Sequence, residues 1–116
     1  MAPLGSRFTS ENDAVTPEMI ESYSSRARGR AAAIVIEAMG IDYPLAVGKL
    51  NHVRFHNEKY IPGHAKLVEG IHQNGAKANA LLWHAGINRG MFEWETPVGP
   101  SALLNPNTGK LPKGRR

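Results

Sequence analysis

The feature that most constrains this chain is the run Ala31-Ala32-Ala33-Ile34-Val35-Ile36, which is continuously apolar and becomes β-branched in its second half. An uninterrupted apolar strand has no solvent side, so it belongs to a parallel sheet covered on both faces. A helix stands directly before it. Thr16, Pro17 and Glu18 supply a capping hydroxyl, a residue suited to the first turn, and an acid at the positive end of the dipole. Met19, Ile20, Tyr23 and Ala27 then recur every three to four residues, and Gly29 offers a left-handed stop, which predicts a helix over Pro17–Arg28.

The same order is repeated downstream. A second helix is predicted to begin near Ile61-Pro62, with Ala65, Leu67, Val68 and Ile71 forming its inward stripe and Asn74-Gly75 ending it. A strand follows over about Lys77–Trp83, and the first few residues read as a fragment of another. Strands alternating with helices specify an α/β fold with parallel strands. Glu37 interrupts the first apolar run, and residues 40–57, with Pro44 and Gly48 and no sustained periodicity, read as a long loop of the kind that often carries function. Beyond Ala85 the recurring glycines and prolines break regular structure. The expected organisation is one domain over residues 1–116, with a βαβαβ portion over 1–84 and a loop-rich segment over 85–116.

With 116 residues and a hydrophobic fraction of 41%, the chain has enough apolar material for one small core. Its longest apolar stretch falls far short of the roughly 20 residues needed to span a membrane, and Met1 to Arg7 lack a secretory pattern, so no membrane association and a cytoplasmic location are expected. The absence of cysteine excludes a disulfide framework within this sequence. The net charge of +4 is gathered at Arg26, Arg28 and Arg30 around a helix end, and at Lys110, Lys113, Arg115 and Arg116. Trp83, Phe92 and Trp94 are not interleaved with a basic stripe, so nucleic acid is not an expected partner. His52 and His56 are four apart but lie in a predicted loop beside Arg54, where that spacing does not suit a metal, and His64 and His72 on the second helix are read the same way. No metal site is expected.

Several blocks taken in order resemble the old yellow enzyme family of NADH:flavin oxidoreductases, especially its enoate-reductase and NADH oxidase branch. They are Met1-Ala2-Pro3-Leu4-Gly5-Ser6-Arg7 with Ala14-Val15-Thr16-Pro17, Ile34-Val35-Ile36-Glu37-Ala38, Tyr60-Ile61-Pro62-Gly63, Leu67-Val68-Glu69-Gly70-Ile71-His72 with Gly75-Ala76-Lys77, His84-Ala85-Gly86, and Gly99-Pro100-Ser101-Ala102 with Asn105-Pro106-Asn107-Thr108-Gly109. The resemblance implies an incomplete N-terminal portion of a TIM (β/α)8 barrel, about strand 1 to strand 3 plus the following loop. A complete barrel of this kind takes about 250 residues and gathers its ligand groups at the C-terminal ends of its strands.

By that resemblance, Pro3, Leu4, Gly5 and Ala38 are the cofactor-binding residues, with FMN as cofactor and NAD(P)H as electron donor of the complete enzyme. Glu37 would hold a hydrogen bond or salt bridge at the barrel rim, and His84 would have a structural place there. Two positions depart from the family pattern. Leu81 stands where relatives use Gln to bond the flavin's pyrimidine edge, and Ile87 where Arg follows Gly. The implied activity is hydride transfer to an activated alkene or another small-molecule acceptor. The family's catalytic residues come from later strands, so none is assigned here and the chain alone is expected to be inactive. A separately encoded remainder of the barrel is a possible partner, and a noncatalytic α/β binding or assembly module is the alternative.

Overall fold

The computed structural model of the chain describes residues 1–46, 52–91 and 96–114. Gly48, the aromatics Phe92 and Trp94, and the cationic Arg115 and Arg116 of the sequence reading lie outside them. Helix α1 covers Pro17–Arg28, the predicted bounds, with the Thr16 hydroxyl accepting from the Met19 amide at 3.2 Å. Its exit differs from expectation. Gly29 keeps φ at −72°, and the left-handed residue is Arg30, with φ 67° and its amide bonded to the Ala27 carbonyl at 2.9 Å. Glycine serves space rather than dihedral freedom here, because an added Cβ at position 29 would lie 3.3 Å from the Arg26 carbonyl oxygen.

Strand β1 covers Ala33–Gly40, starting two residues into the apolar run and continuing past its end. Glu37 does not terminate the strand; it forms a bulge. Pairing with the parallel strand β3, Lys77–Trp83, runs from Ala33↔Lys77 to Ile36↔Ala80, skips Glu37, and resumes from Ala38↔Leu81 to Gly40↔Trp83. A bulge admits one extra residue and re-aims its side chain. The segment expected to be all loop also contains a two-residue strand, β2, Val53–Arg54, parallel to the end of β1, giving the sheet order β2-β1-β3. Two residues are too few to show a period.

The strand expected at the start shrinks to a contact made by Met1. Its amino group donates to the Ala33 carbonyl at 2.5 Å, and its carbonyl accepts from the Val35 amide at 3.0 Å. Pro3 has no amide hydrogen with which to extend a ladder.

Helix α2, Ile61–Gln73, follows a short 3-10 turn at Glu58–Tyr60 and ends as predicted, with Gly75 at φ 85° and its amide on the His72 carbonyl at 2.9 Å. The two helices meet closely at Gly70, where an added Cβ would come within 2.7 Å of Ser24 Oγ and 3.2 Å of Ile20 Cγ2. Met19, Tyr23 and Ala27 of α1, Leu67 and Ile71 of α2, and Ile34, Ile36, Met39 and Val53 of the sheet form the core. Only this helix-facing side of the sheet is well buried. On β3, Ala80, Leu81 and Leu82 are exposed, the state of an edge strand with one covered face.

The segment from residue 85, expected to be loop, carries a 3-10 turn at Gly86–Met91 and a parallel pair of two-residue strands, β4 Val98–Gly99 and β5 Lys113–Gly114. The fully buried Asn105 organises it. Its Nδ2 donates to the Ile87 carbonyl at 2.9 Å and its Oδ1 accepts from the Asn107 amide at 2.9 Å. Glycines and prolines suppress long elements, but one buried amide side chain can still fix a loop by satisfying its backbone. Among the described residues no helix is long and apolar enough to cross a membrane.

Candidate functional site

The C-terminal ends of β1 and β3 bring Ala38 and Leu81 together as direct cross-strand partners. Ile36 and Met39 point into the helix-side core, so alternation around the bulge turns Ala38 to the opposite face, where it is half-buried. Leu81 is 39% exposed beside it. The pair makes a small apolar floor.

The first segment is tied to the same end of the sheet through Glu37, whose Oε2 accepts from the Ser6 amide at 2.8 Å. Pro3, Leu4 and Gly5 immediately precede that anchor and are exposed. An added Cβ at Gly5 would meet nothing within 4 Å, so this glycine is not required by packing inside the chain. Leu4 and Gly5 also line a cavity of about 230 Å³ against Tyr23 and Arg26 of α1, a cavity that Ala38 does not reach.

Glu37 is 1% exposed, and a carboxylate so placed needs donors. Besides Ser6, the Tyr23 hydroxyl donates to Oε2 at 3.2 Å, while the Glu37 amide donates to the same hydroxyl oxygen at 3.0 Å. Among the described residues Oε1 has no hydrogen-bond partner. Burial, with the neighbouring Glu37 carboxylate adding to it, pushes the Tyr23 phenol up to about 12. The rim role expected of Glu37 thus takes the form of hydrogen bonds that lock α1, the bulge and the first segment together. Sequence reasoning placed Tyr23 in the helix stripe but missed its hydroxyl. Its signal was an acid closing an apolar strand after a helix with one inward tyrosine.

The histidines separate into different roles. His84 Nδ1 accepts from the Gly86 amide at 2.9 Å, which fixes the turn after β3. The His64 ring lies 2.7 Å from the Arg54 carbonyl through Nε2. His56 packs beside Tyr43 and Tyr60 at ring separations of 5.7 and 5.6 Å, whereas His52 packs on Trp83 at 4.8 Å. Among the described residues no group of three or more His, Asp or Glu is placed to hold a metal ion. A polar cavity of about 250 Å³ near His56 includes a pair that sequence reasoning missed. Arg54, 8% exposed, donates through Nε to Asp13 Oδ2 at 2.8 Å and lies over the Tyr43 ring at 4.0 Å. Residues 41 apart in sequence leave no local signal.

Residues 1–109 match the sequence profile of the NADH:flavin oxidoreductase / NADH oxidase family. The chain belongs to that family. It is 31% identical over 115 residues to an NADH oxidase from Thermoanaerobacter brockii, covering 97% of this chain and 18% of that protein. It is 32% identical over 114 residues to a metal reductase from Desulforamulus reducens, covering 97% of this chain and 16% of that one. In structure it resembles the old yellow enzyme homologue from Zymomonas mobilis, with a TM-score of 0.81 and 24% identity over all of this chain and 35% of the other. Morphinone reductase gives a TM-score of 0.81 at 23% identity and the same coverage. The chain therefore spans about a third of these barrels and under a fifth of the two sequence relatives. Its helices and parallel strands form the N-terminal portion of an old yellow enzyme barrel.

The apolar Ala38–Leu81 pair has the chemistry to suit the flat face of a flavin ring, and Gly5 leaves open space on the first segment. Position 81 does not fit the ring's polar edge, because a leucine can neither donate nor accept a hydrogen bond.

Proposed function

We propose that this chain supplies the floor and first rim of the FMN site of an NAD(P)H:flavin oxidoreductase that passes hydride to an activated alkene or another small electrophilic acceptor. The observation that carries the proposal is the placement of Ala38 beside Leu81 at the strand ends, with the Pro3-Leu4-Gly5 segment anchored to the same end through Glu37. FMN, when bound, supplies the two-electron chemistry. In this reading Ala38 admits the ring by being small, Gly5 leaves space for backbone approach, and Leu81 excludes water from beneath the ring. Tyr23 and Glu37 hold the first segment in place without touching the cofactor.

In this reading the chain supplies only part of the site and turns over no acceptor by itself. Titration of purified chain into FMN, read by flavin fluorescence, tests the reading. Saturable quenching that is lost in Ala38→Trp supports it, and unchanged fluorescence at high protein concentration contradicts it. The second reading, a noncatalytic binding or assembly module, is favoured by the exposed apolar side chain at Leu81. It predicts a chain that folds, ignores FMN and associates with another protein chain.

A further inference from the structure

His52 immediately precedes β2, in which Val53 pairs with Met39 and both are buried in the helix-facing core. Alternation turns His52 to the opposite face of the sheet. Trp83 stands on that face too, two residues beyond Leu81 on β3. Trp83 lies on β3 and His52 at the entry to β2, on either side of β1; Trp83 is level with Gly40, and His52, one residue before the Met39–Val53 pair, is level with Ala38. Across these two small residues imidazole and indole meet at a centroid separation of 4.8 Å and a tilt of 46°. The Trp83 end of the contact lies about 7 Å beyond the Ala38–Leu81 pair, the rise of two strand residues, and the His52 end is level with Ala38.

The imidazole is chemically uncommitted. Its Nδ1 is buried and has no hydrogen-bond partner among the described residues. Burial lowers its pKa, the Glu37 and Asp13 carboxylates oppose that shift, and Arg7 and Arg54 reinforce it. The ring is therefore neutral at pH 7, with a proton on one nitrogen only. An unpartnered buried nitrogen costs less as a lone pair than as an N–H, which places the hydrogen on Nε2.

Resting on the flavin reading above, we propose that His52 replaces the polar partner missing at Leu81, donating from Nε2 to a carbonyl or ring-nitrogen acceptor of the flat heteroaromatic cofactor that lies on Ala38. His52 is thus a cofactor-contacting residue drawn from the loop after β1, level with Ala38 on the neighbouring strand.

The test is FMN titration of the full chain and its variants, followed by fluorescence. His52→Ala should weaken FMN binding about tenfold, the effect of losing one good hydrogen bond. His52→Gln should restore most of that loss, and Leu81→Gln should tighten binding more in the His52→Ala background than in the wild type. A ¹⁵N-resolved spectrum of the imidazole should show the Nε2–H form and a shift of that nitrogen on adding FMN. If the wild type binds FMN while His52→Ala binds equally well, or if the Nε2 resonance does not move, the role of His52 is overturned and the flavin reading stands. If the wild type does not bind FMN, both fall. Should His52→Ala fail to fold, His52→Gln and the nitrogen spectrum decide the matter alone.

Discussion

Replacing Tyr23 by Phe removes one oxygen and tests the junction that holds the first segment, α1 and the β1 bulge together. The hydroxyl donates to Glu37 Oε2 at 3.2 Å and accepts from the Glu37 amide at 3.0 Å, at a residue only 2% exposed. The substitution keeps the ring and its packing, so the cost is polar. An orphaned buried amide and a weakened carboxylate contact together cost about 2–3 kcal/mol. For a chain of this size, with a urea slope of roughly 1–1.5 kcal/mol per M, that is a midpoint lower by about 2 M. The pH dependence supplies an independent sign. Burial pushes the Tyr23 phenol up to about 12 from 10.0, with the Glu37 backbone amide opposing the shift and the Glu37 carboxylate reinforcing it. A raised folded value means its stabilisation is complete below pH 10 and is lost as pH rises through 12. Two pH units correspond to about 3 kcal/mol of stability lost by the wild type, and not by Tyr23→Phe, as the phenol ionises. Urea unfolding of wild type and Tyr23→Phe, followed by circular dichroism at several pH values, should give a wide gap up to pH 9 that closes toward pH 12. A gap under roughly 0.5 kcal/mol at pH 7, the size of an ordinary surface effect, or a gap that persists unchanged to pH 12, would refute the reasoning.

Other perturbations have equally definite expectations. Thr16→Ala removes the cap that accepts from the Met19 amide, so thermal melting should report a loss of about 1 kcal/mol, recovered in Thr16→Ser. Asp13→Ala leaves the Arg54 guanidinium buried with its carboxylate gone, and chemical denaturation should show a loss of about 3 kcal/mol, largely avoided when Arg54 is also replaced by Met.

Much of the fold was legible because the periodic signals in this sequence are local. Thr16-Pro17-Glu18 fixed the start of α1, and Asn74-Gly75 the end of α2, since both depend on backbone groups within one turn. What escaped depended on distant partners. Glu37 reads as the end of an apolar run until Tyr23 and the Ser6 amide are seen to satisfy it, which lets β1 continue through a bulge. The short β2 and the Asn105 hub are likewise set by tertiary pairing rather than by period. The candidate site was legible only through its resemblance, because Ala38 and Gly5 contribute smallness, and smallness alone carries no chemical signal. The His52–Trp83 contact had no sequence signal, being made between segments distant in sequence.

The flavin-facing rim is tested most directly by mapping backbone amide shifts of ¹⁵N-labelled chain as FMN is added. Saturable shifts at Leu4, Gly5, Ser6, Ala38 and Leu81, with Glu69 and Gln73 on the outer helix unmoved, are the expected result. No shifts at these positions, or shifts confined to the polar cavity around Arg54 and His56, would contradict it.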